Sequence, residues 1–176
     1  MKPTFSNHIL VDANIARSAT DPADNPTAEA CREVARTLEH RECPVGIAMT
    51  PALLAEWRKH ASRIMTRWLV VMESRGRISH KQDKRVGSIR RDVTRVSDVG
   101  IRVALEKDLH ITEAAITNSW PVISRDARQK RYLKSLHDIG NTDVGRIHWA
   151  DPITDVTWRE WLMSGCSQVY DFRCES

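Results

Sequence analysis

The sequence predicts an α/β protein with a central parallel sheet of about four to five strands, flanked by helices in three layers. Short apolar runs such as HILV at 8–11 show no polar alternation, which is typical of parallel strands covered on both faces. Between them lie longer stretches whose apolar residues recur at helical spacing. The length of 176 residues suits one domain, and 41% hydrophobic residues provide enough apolar mass for its core. We therefore expect a single domain over residues 1–176.

The sequence shows no feature that would direct the chain to a membrane or out of the cytoplasm. It has no run of 18 apolar residues, so we expect no transmembrane helix. The first residues, MKPTFSNHILVDAN, lack the long apolar segment of a signal peptide. The four cysteines form no C-x-x-C pair and predict free thiols in a reducing compartment. These observations favour a cytoplasmic protein without a membrane partner.

The first predicted strand covers residues 8–11 and ends directly before Asp12, with Asn14 two residues later. Taken alone, Asp12 fits a turn aspartate that caps the residues after it. A helix is predicted over 26–41, because an asparagine and a proline open it and its apolar residues follow helical spacing. The second strand is predicted over 45–49.

A long helix is predicted from Thr50 to about Ser74, with a capping hydroxyl and a proline at its start. Glu56 follows the core residue Leu53 by three positions, so it lies about 60° off the apolar stripe. It is also close to the sheet edge at which this helix begins. A solvent-facing glutamate is the simpler interpretation of this residue when it is considered alone.

The segment from Trp57 to Lys107 is strongly basic. It contains 14 Lys/Arg and 5 Asp/Glu, a net charge of +9, whereas the rest of the chain carries −5. We interpret residues 58–107 as a basic helical extension of the domain, with a further helix indicated by its spaced valines. Such a segment is the electrostatic signature of a polyanion partner, although a solvated helical face would give the same composition.

The stretch from Asp108 to Asp126 predicts a helix, a buried strand and a loop. Asp108 is placed to cap the helix, and Trp120-Pro121 ends it. The strand covers 122–124. Because a crossover helix runs antiparallel to its strand, both aspartates lie at the carboxyl edge of the sheet, where open parallel sheets place their sites.

The remaining chain completes the predicted sheet. We expect a helix over 127–138, a last strand over 146–149 and a short helix over 156–163. Asp151 also follows a strand, but the proline beside it indicates a turn residue.

Four acidic residues are thus predicted at one sheet edge: Asp12, Glu56, Asp108 and Asp126. Without a matching set of His or Cys residues, such a cluster suits Mg²⁺ or Mn²⁺ better than Zn²⁺. Glu113 is a weaker candidate, because it points about 140° away from Asp108 around an ideal helix.

The segments ILVDANI, TPALLAEW, KDLHITEAAI and VISRD, in this order, resemble the PIN-domain ribonuclease family. The resemblance covers about 130 residues and implies a parallel sheet flanked by helices, with Mg²⁺- or Mn²⁺-dependent hydrolysis of RNA. It implies that all four acids form the catalytic cluster. Asp12, Asp108 and Asp126 would bind the metal.

The resemblance also implies roles for polar and basic residues. Asn14 and Ser124 match positions that support the carboxylates. We expect six basic residues to contact the RNA backbone: Arg58, Lys59, Arg90, Arg91, Arg125 and Arg128. Many PIN proteins are toxins of toxin–antitoxin pairs, so an antitoxin protein and a second copy of the chain are further candidate partners. Segment 58–107 is longer and more basic than in compact toxins.

Two other functions remain open at this point. One is a PIN-like module that binds RNA or protein without cleaving it. The other is a metal-dependent phosphatase with Asp12 as nucleophile, which would need a second aspartate where this chain has Asn14.

Overall fold

The computed structural model describes residues 7–21 and 24–174 and contains one five-stranded sheet. Every pair of neighbouring strands is parallel, and the strand order is β3-β2-β1-β4-β5. The strands are β1 (Asn7–Val11), β2 (Val45–Met49), β3 (Ile78–His80), β4 (Val122–Ile123) and β5 (Trp149–Ala150). The predicted parallel α/β sheet is therefore confirmed.

Helices flank this sheet, an arrangement consistent with a three-layer sandwich. They are α1 (Ala13–Ser18), α2 (Pro26–Glu39), α3 (Pro51–His60), α4 (Arg63–Ser74), α5 (Gly87–Thr94), α6 (Val99–Lys107), α7 (Leu109–Asn118), α8 (Ala127–Asp138), α9 (Thr142–Gly145) and α10 (Trp158–Met163). The predicted caps of α2 and α3 are confirmed. The side chains of Asn25 and Thr50 accept hydrogen bonds from Ala28 N and Leu53 N.

The central strands account for the apolar runs in the sequence. In β1, Ile9 and Leu10 have no exposed surface, and all five residues of β2 are buried. Residues that are covered on both faces of a parallel sheet do not alternate between apolar and polar side chains. The buried residues of the strands and of the flanking helices form one hydrophobic cluster.

The single long helix predicted over 50–74 is wrong, because the chain breaks at Ala61 and Ser62 into α3 and α4. Ser62 caps α4 by accepting from Met65 N. Its own backbone N–H donates to Ala16 O at 3.0 Å, and its hydroxyl donates to Ala19 O at 2.5 Å. These hydrogen bonds to the region of α1 replace the bonds that a continuous helix would make. No local sequence pattern predicts them.

The basic segment 58–107 is not purely helical, as it was predicted to be, since it contains β3. This strand pairs with β2 at the edge of the sheet and is too short to show a periodic pattern. The segment also enters the core, because Ile89, Val93 and Leu105 are 1% exposed or less. It is therefore packed into the α/β unit rather than attached to its surface. The single-domain prediction for 1–176 stays a prediction, since the termini lie outside the described residues.

The last strand begins three residues later than predicted and covers Trp149–Ala150. Asp151 after it is a turn residue, because its carboxylate accepts from Ile153 N at 2.8 Å. The four cysteines are buried free thiols. In the described ranges, no helix is both long enough and apolar enough to cross a membrane.

Candidate active site at the carboxyl edge of the sheet

The order of the strands defines where a site is expected. The chain moves outward from β1 through β2 to β3, then returns to the other side of β1 to place β4 and β5. The order therefore reverses between β1 and β4. In open parallel sheets, ligands bind outside the carboxyl ends of the strands at such a switch point. Asp12 directly follows β1, while Ser124 and Asp126 follow β4.

The hydroxyl of Ser124 links the residues at this point. It donates to Asp12 Oδ2 at 2.6 Å and accepts from Asn14 Nδ2 and from the backbone N–H of Asp126, both at 3.0 Å. A hydroxyl offers one donor and two acceptor sites, so the capacity of Ser124 is fully used. Ser124 has no exposed surface. The arrangement holds Asp12 and Asp126 in a defined relation across two strands.

Asn14 is the second linking residue. Its side-chain nitrogen donates to Ser124, and its Oδ1 accepts from the backbone N–H of Arg125 at 3.1 Å. Both polar atoms of this amide therefore join α1 to the loop after β4. An aspartate here would lack the N–H donor that Ser124 uses.

Asp12 is itself held through both carboxylate oxygens, since Oδ1 accepts from Asn14 N at 3.2 Å. Burial raises the pKa of Asp12, and the charge of Asp126 raises it further, whereas the bonds from Ser124 and Asn14 and the nearby His110 lower it. The interpretation of Asp12 as a capping residue is confirmed, because its side chain caps α1.

Asp108 lies at the junction of α6 and α7, but the predicted cap is wrong: its side chain makes no capping hydrogen bond to the first turn of α7. Its carboxylate is thus not committed to the helix. Burial and the charge of Asp12 raise the pKa of Asp108 to about 6, with further contributions from Asp126 and Glu56 that Lys107 opposes. Each of the other three carboxylates therefore acts electrostatically on Asp108.

Glu56 belongs to the same group but lies at its rim. Its side chain is 43% exposed, and His60 Nε2 lies 3.3 Å from Glu56 Oε2 one turn later in α3. The indole N–H of Trp57, the next residue, donates to Val11 O at 2.9 Å. This bond ties α3 to the end of β1, directly before Asp12. The sequence gave no sign of this bond.

Of the basic residues predicted to contact RNA, Arg58, Lys59 and Arg91 are exposed. Arg128 is 74% exposed, and its Nε lies 4.0 Å from Asp126 Oδ1. Arg125 differs, because its guanidinium donates to the hydroxyl of Ser18.

Arg90, also predicted to contact RNA, forms an ion pair with Glu113. Its guanidinium donates to both oxygens of Glu113, from Nε at 2.6 Å and from Nη2 at 2.7 Å. Glu113 is 3% exposed and lies on α7, away from Asp108 as the helical spacing indicated. The charge of Arg90 is therefore balanced by Glu113, while its side chain remains 41% exposed, and the RNA contact predicted for it stays a prediction.

The carboxylate oxygens at this edge are of the kind that hard divalent cations prefer as ligands. Within the described ranges, no group of three or more His, Cys, Asp or Glu side chains is placed so that it could hold a metal ion. Mg²⁺ does not require such a group, because it keeps several waters and is usually held by one or two carboxylates. Asp108 makes no capping hydrogen bond to α7, and the bond that Asp126 accepts from Gln129 N, within the described residues, uses only Oδ1. His110 Nε2 is buried and has no hydrogen-bond partner among the described residues.

A cleft of about 400 Å³ lies elsewhere in the molecule. Its lining includes Asn7, Pro121 and His148, which stand at or before the beginnings of β1, β4 and β5. The cleft is thus at the amino edge of the sheet and contains none of the four carboxylates.

No protein-family model matches the chain, and a search of curated proteins also finds no match. The fold and the site alone define its class: a parallel α/β protein with a carboxylate cluster at the switch point of its sheet.

Proposed function

We propose that the protein is a Mg²⁺- or Mn²⁺-dependent ribonuclease of the PIN type. The observation that carries this proposal is the electrostatic coupling of Asp108 to Asp12, Asp126 and Glu56. Like charges that raise the pKa of a carboxylate are unfavourable unless a cation or a proton neutralises them. Clustered acids with perturbed pKa values are typical of functional sites.

Each residue of the site would have its own role in hydrolysis of the phosphodiester. A divalent cation, when bound, would neutralise the cluster and stabilise charge that develops on the phosphodiester. Asp12, Asp108 and Asp126 would hold it directly or through water, and Glu56 at the rim would orient the attacking water. Ser124 and Asn14 keep Asp12 and Asp126 in place through the hydrogen bonds described above. In-line attack of this water on phosphorus would break the bond to the 3′ oxygen, which leaves as a hydroxyl after taking up a proton, and would leave a 5′-phosphate on the other fragment.

The charge distribution supports a polyanionic substrate rather than a small phosphoester. The segment from Trp57 to Lys107 has a net charge of +9, and its side chains at 58, 59 and 91 are exposed. Phosphate neutralisation by such side chains gives most of the affinity for nucleic acids. A phosphatase with Asp12 as nucleophile is disfavoured, because Asn14 occupies the position of its second aspartate and both of its polar atoms are engaged.

The test is a cleavage assay on mixed single-stranded RNA with Mn²⁺ and with EDTA, followed by mapping of the ends. Cleavage should require the metal and should be lost in Asp12→Asn, Asp108→Asn and Asp126→Asn. Asp143→Asn is the matched control, since Asp143 is an exposed acid at the opposite edge of the sheet. Cleavage that persists in EDTA, or equal loss in the control, would contradict the proposal. Binding of RNA without any cleavage would favour the non-catalytic module.

A further inference from the structure

The loop between β3 and α5, residues 81–86, contacts α3, which carries Glu56, and α7, which Asp108 directly precedes. It leaves the carboxyl end of β3, so it begins at the same sheet edge as the carboxylates. The backbone N–H of Lys81 donates to Met49 O at 3.0 Å and continues the pairing with β2. From there the loop contacts α3 at one point and α7 at another.

The first contact is made by Asp83. Its Oδ2 accepts a hydrogen bond at 3.0 Å from the backbone N–H of Ala52, in the first turn of α3. A carboxylate at this point satisfies a free helical N–H and interacts favourably with the helix dipole. Glu56 follows Ala52 by four residues, which is about 6 Å along the helix axis. The loop is thereby attached close to one carboxylate of the site.

The second contact is made by Glu113 of α7. Its Oε1 accepts from the backbone N–H of Val86 at 2.8 Å, while Arg90 binds both of its oxygens. A bidentate pair of this kind defines a geometry as well as an energy. Asp108 precedes Glu113 by five residues, about 7.5 Å along the helix axis. The end of the loop is thus attached at a similar distance from a second carboxylate.

Between these two contacts the loop presents the exposed side chains of Lys84 and Arg85. The two acidic side chains that contact this loop or belong to it, Asp83 and Glu113, are engaged in the contacts above. Because the loop is attached to both helices close to these carboxylates, its two exposed cations would lie beside a nucleic-acid backbone that passes the carboxylates.

We propose that loop 81–86 is a binding element for the RNA backbone, in which Lys84 and Arg85 contact phosphates flanking the scissile bond and the contacts of Asp83 and Glu113 hold the loop in position. This inference rests on the proposed ribonuclease function for the identity of its ligand. It assigns the RNA contact to two residues outside the predicted set and gives Arg90 a positioning function.

The first experiment measures the affinity for a fluorescent single-stranded RNA in EDTA, where no cleavage is expected, over a range of salt concentrations. The double variant Lys84→Gln/Arg85→Gln should bind more weakly. Its slope of log affinity against log salt should be smaller in magnitude by about 1.4, since each phosphate contact contributes roughly 0.7 for a single strand. The control removes the same charge at the opposite edge, in Arg41→Gln/Arg146→Gln, where exposed arginines precede β2 and β5. Equal losses in the two double variants would overturn the proposal.

The second experiment separates the position of the loop from its charge. Asp83→Asn and Asp83→Ala remove the same negative charge, but only asparagine keeps an oxygen that can accept from Ala52 N. Electrostatics alone predicts that both variants bind RNA at least as tightly as the parent. If the contact positions the loop, Asp83→Ala should bind severalfold more weakly than Asp83→Asn. Equal affinity of the two variants would refute the positioning function. Because Asp83 is exposed, neither substitution should prevent folding.

These measurements are independent of catalysis. A parent protein that binds RNA through Lys84 and Arg85 but never cleaves it would overturn the proposed enzyme and leave this inference standing. A parent that cleaves RNA while the double variant keeps full affinity would support the proposed enzyme and overturn this inference. Salt-independent binding in the parent would show that the loop faces a partner other than a phosphate backbone.

Discussion

Asp108→Asn should abolish cleavage and yet stabilise the metal-free protein. The pKa of Asp108 is raised from 3.8 to about 6 by burial and by its three neighbouring carboxylates. A shift of roughly 2 pKa units corresponds to about 3 kcal/mol. Because this carboxylate is only partly buried, solvent screening reduces the figure to about 1 kcal/mol. For a chain of this size, a gain of that magnitude raises the melting temperature by about 3 °C.

The pH dependence of this gain follows from the direction of the shift. Between pH 3.8 and about 6 the folded state holds the proton of Asp108 more tightly than the unfolded state does. The parent therefore loses stability relative to the variant as pH rises through this window. Below pH 3.8 the two proteins should melt together, and above pH 6 the full difference should be present.

The assay is a set of melting curves for both proteins in EDTA and in Mn²⁺, with Asp143→Asn as control. Mn²⁺ should stabilise the parent by mass action and the Asp108 variant less, because one of its ligands is missing. The absence of a capping bond from Asp108 means that no helix cap is lost in the substitution. A variant that melts lower in EDTA and gains as much from Mn²⁺ as the parent would remove Asp108 from the site.

Three further outcomes are expected. Ser124→Ala removes a hydrogen bond that lowers the pKa of Asp12, so this pKa should rise. The acidic limb of a pH–rate profile should then move to higher pH. A limb that does not move would contradict the linking role of the hydroxyl. Trp57→Phe leaves Val11 O without its indole donor and should cost about 1 kcal/mol in urea unfolding, with no loss if the bond is unimportant. RNA affinity of the parent should fall steeply with salt, and a dissociation constant that does not change with salt would show that the basic segment serves another partner.

The sequence was sufficient for the features that depend on local patterns. The apolar run of β1 predicted a buried strand, and the pairs Asn25-Pro26 and Thr50-Pro51 predicted two helix starts with their caps. These signals act within a few residues, where steric restriction and hydrogen bonding are local. The shared sheet edge of Asp12 and Asp126 followed from the direction of the chain in a parallel sheet.

The features that escaped prediction depend on contacts between distant residues. Ser62 looks like an ordinary helical residue, and only its bonds to Ala16 and Ala19 show why the helix breaks there. The sequence likewise gave no sign that Arg90 donates from Nε and Nη2 to Glu113, 23 residues later. A single sequence does not encode such partners in any pattern that can be read locally.

β4 contributes only two residues to the sheet, and this length has a consequence for its hydrogen exchange. The backbone N–H of Asp126, just beyond the strand, is bonded to the hydroxyl of Ser124 and not to a neighbouring strand. Short ladders open locally at a smaller free energy than global unfolding requires. Without a bound cation, the amides around Ser124 should therefore exchange faster than those in the centre of β2. A ligand that bridges Asp12 and Asp126 would oppose this local opening. Binding of a ligand at the site should therefore slow the hydrogen exchange of these amides.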